Sequence, residues 1–428
     1  MIKKIKYLLH IYRTLAGSGT RKTLNFFEKS NNNFKRLKFR TNQKVFDWKI
    51  PHEWEIKNSY IQNLKTKKKY AEFKKDKLHV VSYSQKLDKI MNLNVLKQKI
   101  YTNVNYQQSI PYVTSYYNKD WGFCMSENEK KKLPEGNYRA VIDSSFKKGF
   151  MEMTHAVIKG KSKKEIMFSS YICHPSMANN ELSGPVLTLE ILNYLKKNIK
   201  NNYYTYRFLL APETIGSIAY LSKFKNHLKK KVICGFNLTC VGDEKFYSHI
   251  SSPSNDNLSD LAIKSSIIKF KNSKFYDFLD RGSDEKQYCF PNINLPFSTF
   301  CKSKFGTFKE YHTNKDNLNL VTQKGMEESL NIFKIIIQSF ESGIIPENKI
   351  ICEPFLSKYK LYPTISFYNP GQNKEFKKNL QTMRDVMAFS DGKKNIFEIA
   401  IRIDKSLSDV IDSLKLLKEK KLIRTKFI

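Results

Sequence analysis

The sequence predicts an α/β protein: a mostly parallel or mixed sheet with helices on both faces, a small β-rich insertion and a helical tail. Three observations predict it. From about residue 135 to 343, short apolar runs alternate with helical patterns, and such alternation builds a sheet covered on both sides. Between residues 45 and 129 the pattern is instead alternating and aromatic, as in Leu78-His-Val-Val-Ser-Tyr83, Tyr116-Tyr117 and Trp121-Gly-Phe-Cys124, which suits a half-buried β-rich unit. Beyond Pro346, Pro354 and Pro363, the chain from 375 to 428 reads as three short helices and a strand.

Residues 1 to about 40 read as polar helix broken at Gly17-Ser18-Gly19. The opening apolar run is interrupted by His10 and Arg13 and precedes no convincing small-residue cleavage site, so an amphipathic helix is expected rather than a signal peptide. Tyr138–Asp143 and Glu165–Ser169 read as strands, Val186–Leu195 as helix, Tyr206–Ala211 as strand and Gly216–Phe224 as helix. Val232–Asn237 and Pro296–Phe300 read as strands, with Asn257–Lys269 helical and Leu320–Gly343 a long closing helix. In the tail, Leu380–Phe389, Ile396–Ile403 and Leu407–Lys420 read as helices, Ser406 as an N-cap and Leu422–Ile428 as a strand. That is the plan of a winged helix-turn-helix. The expected units are 1–44 with 130–348 (α/β), 45–129 (inserted, β-rich), 349–374 (linker) and 375–428 (winged helix).

Hydrophobic content of 40% with 13% aromatics places the chain among folded proteins. No apolar stretch approaches the roughly 20 residues of a membrane span, so no membrane partner is expected. Seven dispersed cysteines without a C-x-x-C pair read as reduced thiols of a cytoplasmic protein. The formal charge of +35 invites a nucleic-acid reading. However, the cations are mostly Lys scattered among Asn, and Asp409, Asp412 and Glu419 sit on the third tail helix. A packing, protein-partner or homo-oligomer role for the tail is expected over DNA binding.

The stretch Tyr171-Ile-Cys-His174-Pro-Ser-Met-Ala-Asn-Asn180-Glu181-Leu-Ser183-Gly184-Pro carries the most chemistry. It puts an imidazole and a carboxylate past the end of a buried strand, where open α/β sheets build their sites. Taken alone it is equally a loop capped by Ser183 with a satisfied histidine. Comparable groups recur after later strands: Glu213, Asp243 with Glu244, Arg281-Gly-Ser-Asp284-Glu285, and Glu310-Tyr311-His312. Two imidazoles and carboxylates at successive strand ends are what a hydrolytic zinc site needs.

These words resemble bacterial polysaccharide-biosynthesis proteins with an aminopeptidase-like domain, distant relatives of the co-catalytic zinc aminopeptidases, with a C-terminal winged helix. The resemblance spans nearly the whole chain. It also rests on Pro212-Glu-Thr-Ile-Gly-Ser-Ile-Ala-Tyr-Leu221, Cys240-Val-Gly-Asp243 and Arg281-Gly-Ser-Asp-Glu-Lys-Gln-Tyr288. It implies a three-layer zinc-peptidase (phosphorylase/hydrolase-like) domain with an inserted domain. It implies that His174 and His312 are metal ligands, with Glu181 and Asp243 as carboxylate ligands and Glu213 as general base, or Glu181 and Glu213 exchanged. Arg281, Asp284, Glu285 and Tyr311 are implied to line the substrate. Asn180 falls where that family has a bridging aspartate, and Thr239 where it has a further ligand, so one zinc is expected rather than two. The implied activity is hydrolysis of an amide in a peptide or aminoacyl-type small substrate, in cell-surface polysaccharide metabolism. The other reading is a catalytically degenerate scaffold that binds or regulates within polysaccharide biosynthesis.

Overall fold

The structure is a computed structural model that describes residues 1–362 and 374–428, without the side chains of 374–378. Its centre is an eight-stranded mixed sheet in the order Lys35–Arg40, Phe150–Ile158, Thr205–Ala211, Glu165–Tyr171, Val232–Leu238, Phe297–Cys301, Tyr247–Ile250, Ser273–Tyr276. The four strands starting at Thr205, Glu165, Val232 and Phe297 are mutually parallel, and antiparallel strands extend both edges. Every residue of Glu165–Tyr171 and Thr205–Ala211 is buried, which explains their continuous apolar reading.

Alternation along the central strand divides the core. Ile166 and Phe168 enter one cluster with the helices Gly184–Asn198 and Gln323–Glu341. Met167 enters the other, with the helix Ile215–Lys231 and the insertion. The period of two produces this split. Phe168 stacks between Phe208 and Phe236, centroids 5.3 and 5.4 Å away, with Phe333 edge-on at 5.7 Å.

Two expected elements sit differently. Lys35–Arg40, read as the end of a polar helical segment, is an edge strand paired with Phe150–Ile158; its four cations belong to an edge that faces water on one side. Tyr138–Asp143, read as the first strand of the α/β region, lies within Asn137–Lys147 and pairs with Glu53–Asn63 and Leu87–Asn92 in the separate four-stranded sheet. The alternating burial of that strand fits a sheet with one wet face.

In the tail, helices Ile396–Arg402 and Leu407–Glu419 have side-chain N-caps, Asn395 and the expected Ser406. The terminal strand Ile423–Lys426 pairs with Ile345–Asn348, upstream of the linker. The tail is packed against the α/β core: Phe397 lies 5.2 Å from Phe340, and Phe427 stacks on Tyr203 at 3.7 Å. No helix among the described residues is long and apolar enough to cross a membrane.

His155, on the Phe150 strand, bonds the Tyr220 hydroxyl through Nδ1 at 3.1 Å. Burial and the nearby Arg207 and Lys223 lower its pKa from 6.5 to about 4. Between those values the unfolded chain binds a proton that the folded chain refuses. His155 is therefore expected to make stability fall as pH drops from 6.5 towards 4. In urea titrations across that window, His155→Phe should flatten the slope; an unchanged slope would refute the assignment.

Candidate active site

His174 lies just past the end of the central strand, almost fully buried. Its Nδ1 is 2.7 Å from Glu181 Oε2, and its Nε2 is 3.6 Å from Glu213 Oε2. The two carboxylates therefore stand on opposite edges of one imidazole. His312 faces the same ring, with centroids 5.2 Å apart. Tyr112 of the insertion packs edge-on against both imidazoles at 5.0 and 5.4 Å. Tyr311 stacks on His312 at 4.0 Å.

Backbone geometry aims these groups. Ser176, Thr214, Cys240 and His312 all have φ between 51° and 61° although none is glycine. Such left-handed residues store strain that the surroundings must hold, and they gather at functional sites. Thr214, next to Glu213, is held by its N–H donating to Asp284 Oδ1 at 2.7 Å. Glu181 lies on a single π-turn, Asn179–Ser183, that runs into the helix from Gly184. Asp316 clamps that turn: Oδ1 accepts from Asn179 N at 2.6 Å and Oδ2 from Asn180 N at 2.8 Å.

The electrostatics follow from burial. Desolvation alone would lower His174, but neighbouring negative charge holds its pKa well above 6.5. That charge is on Glu181, because burial pushes the Cys173 thiol up to about 11 and keeps it neutral near pH 7. Burial, with His174 nearby, takes His312 down to about 3. Burial raises Glu213, against the pull of His174 and Lys286. Asp284 is raised to about 7 by burial and by Glu213.

Not every expected site residue joins this cluster. Asp243, expected as a ligand, is a buried hydrogen-bond hub instead. Its oxygens accept from Asn179 Nδ2, Lys245 N, Ser303 N and Ser303 Oγ at 2.8–3.0 Å. Glu285, expected at the substrate, is likewise consumed, by Gly282 N, Ser283 N, Asn237 and Thr299. Arg281 is exposed and folds over the Phe278 ring at 4.7 Å. Asp284 sits beside Glu213 through Thr214, with its second oxygen buried and unpartnered.

Two neighbours were missed in the sequence. Arg13, fully buried, donates from Nε to the His174 carbonyl at 3.0 Å and is lowered to about 10 by burial, opposed by Glu181. Cys173 forms a compact trio with His174 and Glu181, their ligand atoms within 4.8 Å of one another. The word Cys-His was visible, but neighbours on a strand point to opposite faces; these two lie beyond the strand's last residue.

Asn180 and Thr239 meet at Tyr171, whose hydroxyl is 2.7 Å from Asn180 Oδ1 and 2.6 Å from Thr239 Oγ1. These neutral groups satisfy one another, which leaves no anionic donor there for a second divalent cation. Imidazole and carboxylate donors of the kind that suit one divalent cation gather around His174, and the ligand atoms that converge within 4.8 Å are those of Cys173, His174 and Glu181. His312 has no hydrogen bond from its ring nitrogens among the described residues and stays neutral near pH 7, the form that binds a metal.

Residues 2–343 match a family described as a domain of unknown function, DUF4910, and residues 344–425 match a winged helix-turn-helix family. The chain belongs to the DUF4910 family. A Clostridium acetobutylicum relative, named for polysaccharide biosynthesis and an aminopeptidase-like domain, is 36% identical over 401 residues, covering 93% of this chain and 90% of that one. A crystal structure of a C. acetobutylicum protein named as a peptidase superposes with a TM-score of 0.86 at 33% identity, covering 99% of this chain and 95% of its own. A zinc aminopeptidase from Bacillus subtilis shares the fold at a TM-score of 0.56 and 13% identity, over 78% of this chain and 93% of its own. The chain thus carries an aminopeptidase-like α/β domain and a C-terminal winged helix.

Proposed function

We propose that this protein is a single-zinc hydrolase that cleaves an amide in a peptide or aminoacyl-type substrate. The observation that carries the reading is the pairing around His174: Glu181 on Nδ1 at 2.7 Å and Glu213 3.6 Å from Nε2, with the His312 ring 5.2 Å away. A carboxylate on one ring nitrogen fixes the tautomer so that the other can bind a metal. His174 through Nε2 and His312 would hold the ion as neutral imidazoles, and Glu213 would stand beside it as proton acceptor. Glu181 thus moves from expected ligand to orienting partner. When bound, zinc supplies Lewis acidity to an amide carbonyl and to water.

The chain's own groups do the rest. Glu213 Oε2 lies 3.6 Å from His174 Nε2, within reach of a proton released beside that ring. Burial raises this carboxyl, moving its basicity towards neutral pH. Tyr112 and Tyr311 wall the imidazoles and exclude bulk water. The expected result is hydrolysis of aminoacyl anilides by the purified full chain, lost with a chelator and restored by zinc. Activity indifferent to chelation would contradict the proposal.

The closed Tyr171–Asn180–Thr239 contact favours a second reading, a degenerate scaffold that binds without turnover. Zinc retained without hydrolysis of a broad peptide and aminoacyl-sugar panel would select it. Cytoplasmic location and a role in polysaccharide metabolism belong to the same proposal.

A further inference from the structure

A cavity of about 400 Å³ is lined almost wholly by the insertion and its four-stranded sheet, with Tyr116 on its wall. Tyr116, which lines the cavity, is four residues from Tyr112, whose ring packs edge-on against His174 at 5.0 Å. One short segment, Tyr112 to Tyr116, thus joins the cavity to the reacting groups.

Its chemistry is specific. Tyr83, Tyr116, Tyr117 and Phe146 present aromatic surface to it. Three of these are unusually exposed for their size, Tyr116 at 39%, Tyr117 at 49% and Phe146 at 44%. They are nonetheless held in place. Tyr117 donates its hydroxyl to the Lys49 carbonyl at 2.8 Å and packs edge-on against Trp48 at 6.2 Å. Tyr116, with φ of 45°, is fixed by its neighbour Ser115 donating to the Ser82 carbonyl at 3.0 Å. Rigid exposed aromatics of this kind lose little freedom when a flat apolar face stacks on them.

The polar lining narrows the class further. Asn42, Gln85 and Asn118 each carry a donor and an acceptor on one planar amide, the pairing that adjacent hydroxyls require. Lys49 and Lys119 supply cationic groups, His52 adds an imidazole, and no carboxylate lines the cavity among the described residues. A protonated amino terminus would find no counter-charge here, whereas an anionic group would find at least two.

We propose that this cavity is a subsite for an acidic saccharide: a pyranose ring stacked on Tyr117 and Phe146, its hydroxyls on the amides and its carboxylate on Lys49 and Lys119. This rests on the hydrolase reading for the reaction but not for the binding. It makes the substrate an amide carried on an acidic sugar rather than a free peptide.

Saturation-transfer NMR on the full chain tests it with three probes: N-acetylmuramic acid, N-acetylglucosamine and trialanine. The two sugars share a ring and differ by a carboxylate-bearing arm. Transfer to N-acetylmuramic acid is expected to be at least threefold stronger than to N-acetylglucosamine, with trialanine at background. Tyr117→Ala should abolish transfer to both sugars, and Lys119→Ala should remove the preference between them. Both side chains are exposed, so neither change threatens folding. The pattern should persist after chelation, which separates the subsite from the hydrolase reading. Equal or absent transfer to the two sugars, a stronger signal from trialanine, or dependence on metal would overturn the proposal.

Discussion

Glu213→Gln is expected to lower kcat/KM for amide hydrolysis by a factor of ~10²–10⁴, the range lost when a positioned proton acceptor is removed. Glutamine keeps the shape of the side chain and one oxygen, but it cannot take a proton. The loss should fall on kcat more than on KM, because proton transfer belongs to the transition state. The acid limb of the pH profile should also disappear, since the raised Glu213 carboxyl is the group that must be ionised there. Steady-state kinetics with saturating zinc make the measurement. Activity within tenfold of the parent, with an intact acid limb, would remove Glu213 from the chemistry.

Asp316→Ala is expected to cost about 2–6 kcal/mol of stability, because two buried backbone N–H groups lose their acceptors at about 1–3 kcal/mol each. Those donors belong to Asn179 and Asn180, the first residues of the π-turn that carries Glu181. The same change should therefore loosen the Glu181–His174 contact and weaken metal binding. Urea unfolding should show a lower midpoint with an unchanged slope. A shift below ~1 kcal/mol would mean that water replaces the carboxylate and that the clamp is dispensable.

The sequence carried the α/β alternation because four parallel strands are buried along their length and read as apolar runs. The edge strands were hidden for the converse reason: Lys35–Arg40 has one buried residue and four cations, and Ser273–Tyr276 has none fully buried. Tyr138–Asp143 reads as a strand and is one, within Asn137–Lys147, but it pairs in the four-stranded sheet, since a strand's own pattern does not name its partner. His174, Glu181, Glu213, Tyr311 and His312 could be collected as groups past strand ends, and the fold brings them together. Asp243 and Glu285 had the same local signature, yet their oxygens are spent on Ser303, Asn179, Asn237 and Thr299. A loop carboxylate looks alike in sequence whether it holds a ligand or a turn. Arg13 and Asp316 were out of reach, because each acts on the His174 loop across a separation of more than 100 residues.

The central claim is that one zinc ion sits on the Nε2 face of His174. Elemental analysis of the purified full chain tests it most directly, beside His174→Ala and His312→Ala. The account predicts one zinc per chain in the parent and less than a tenth of that in either variant. A parent that holds no stoichiometric metal, or a His174→Ala chain that keeps its zinc, would contradict it.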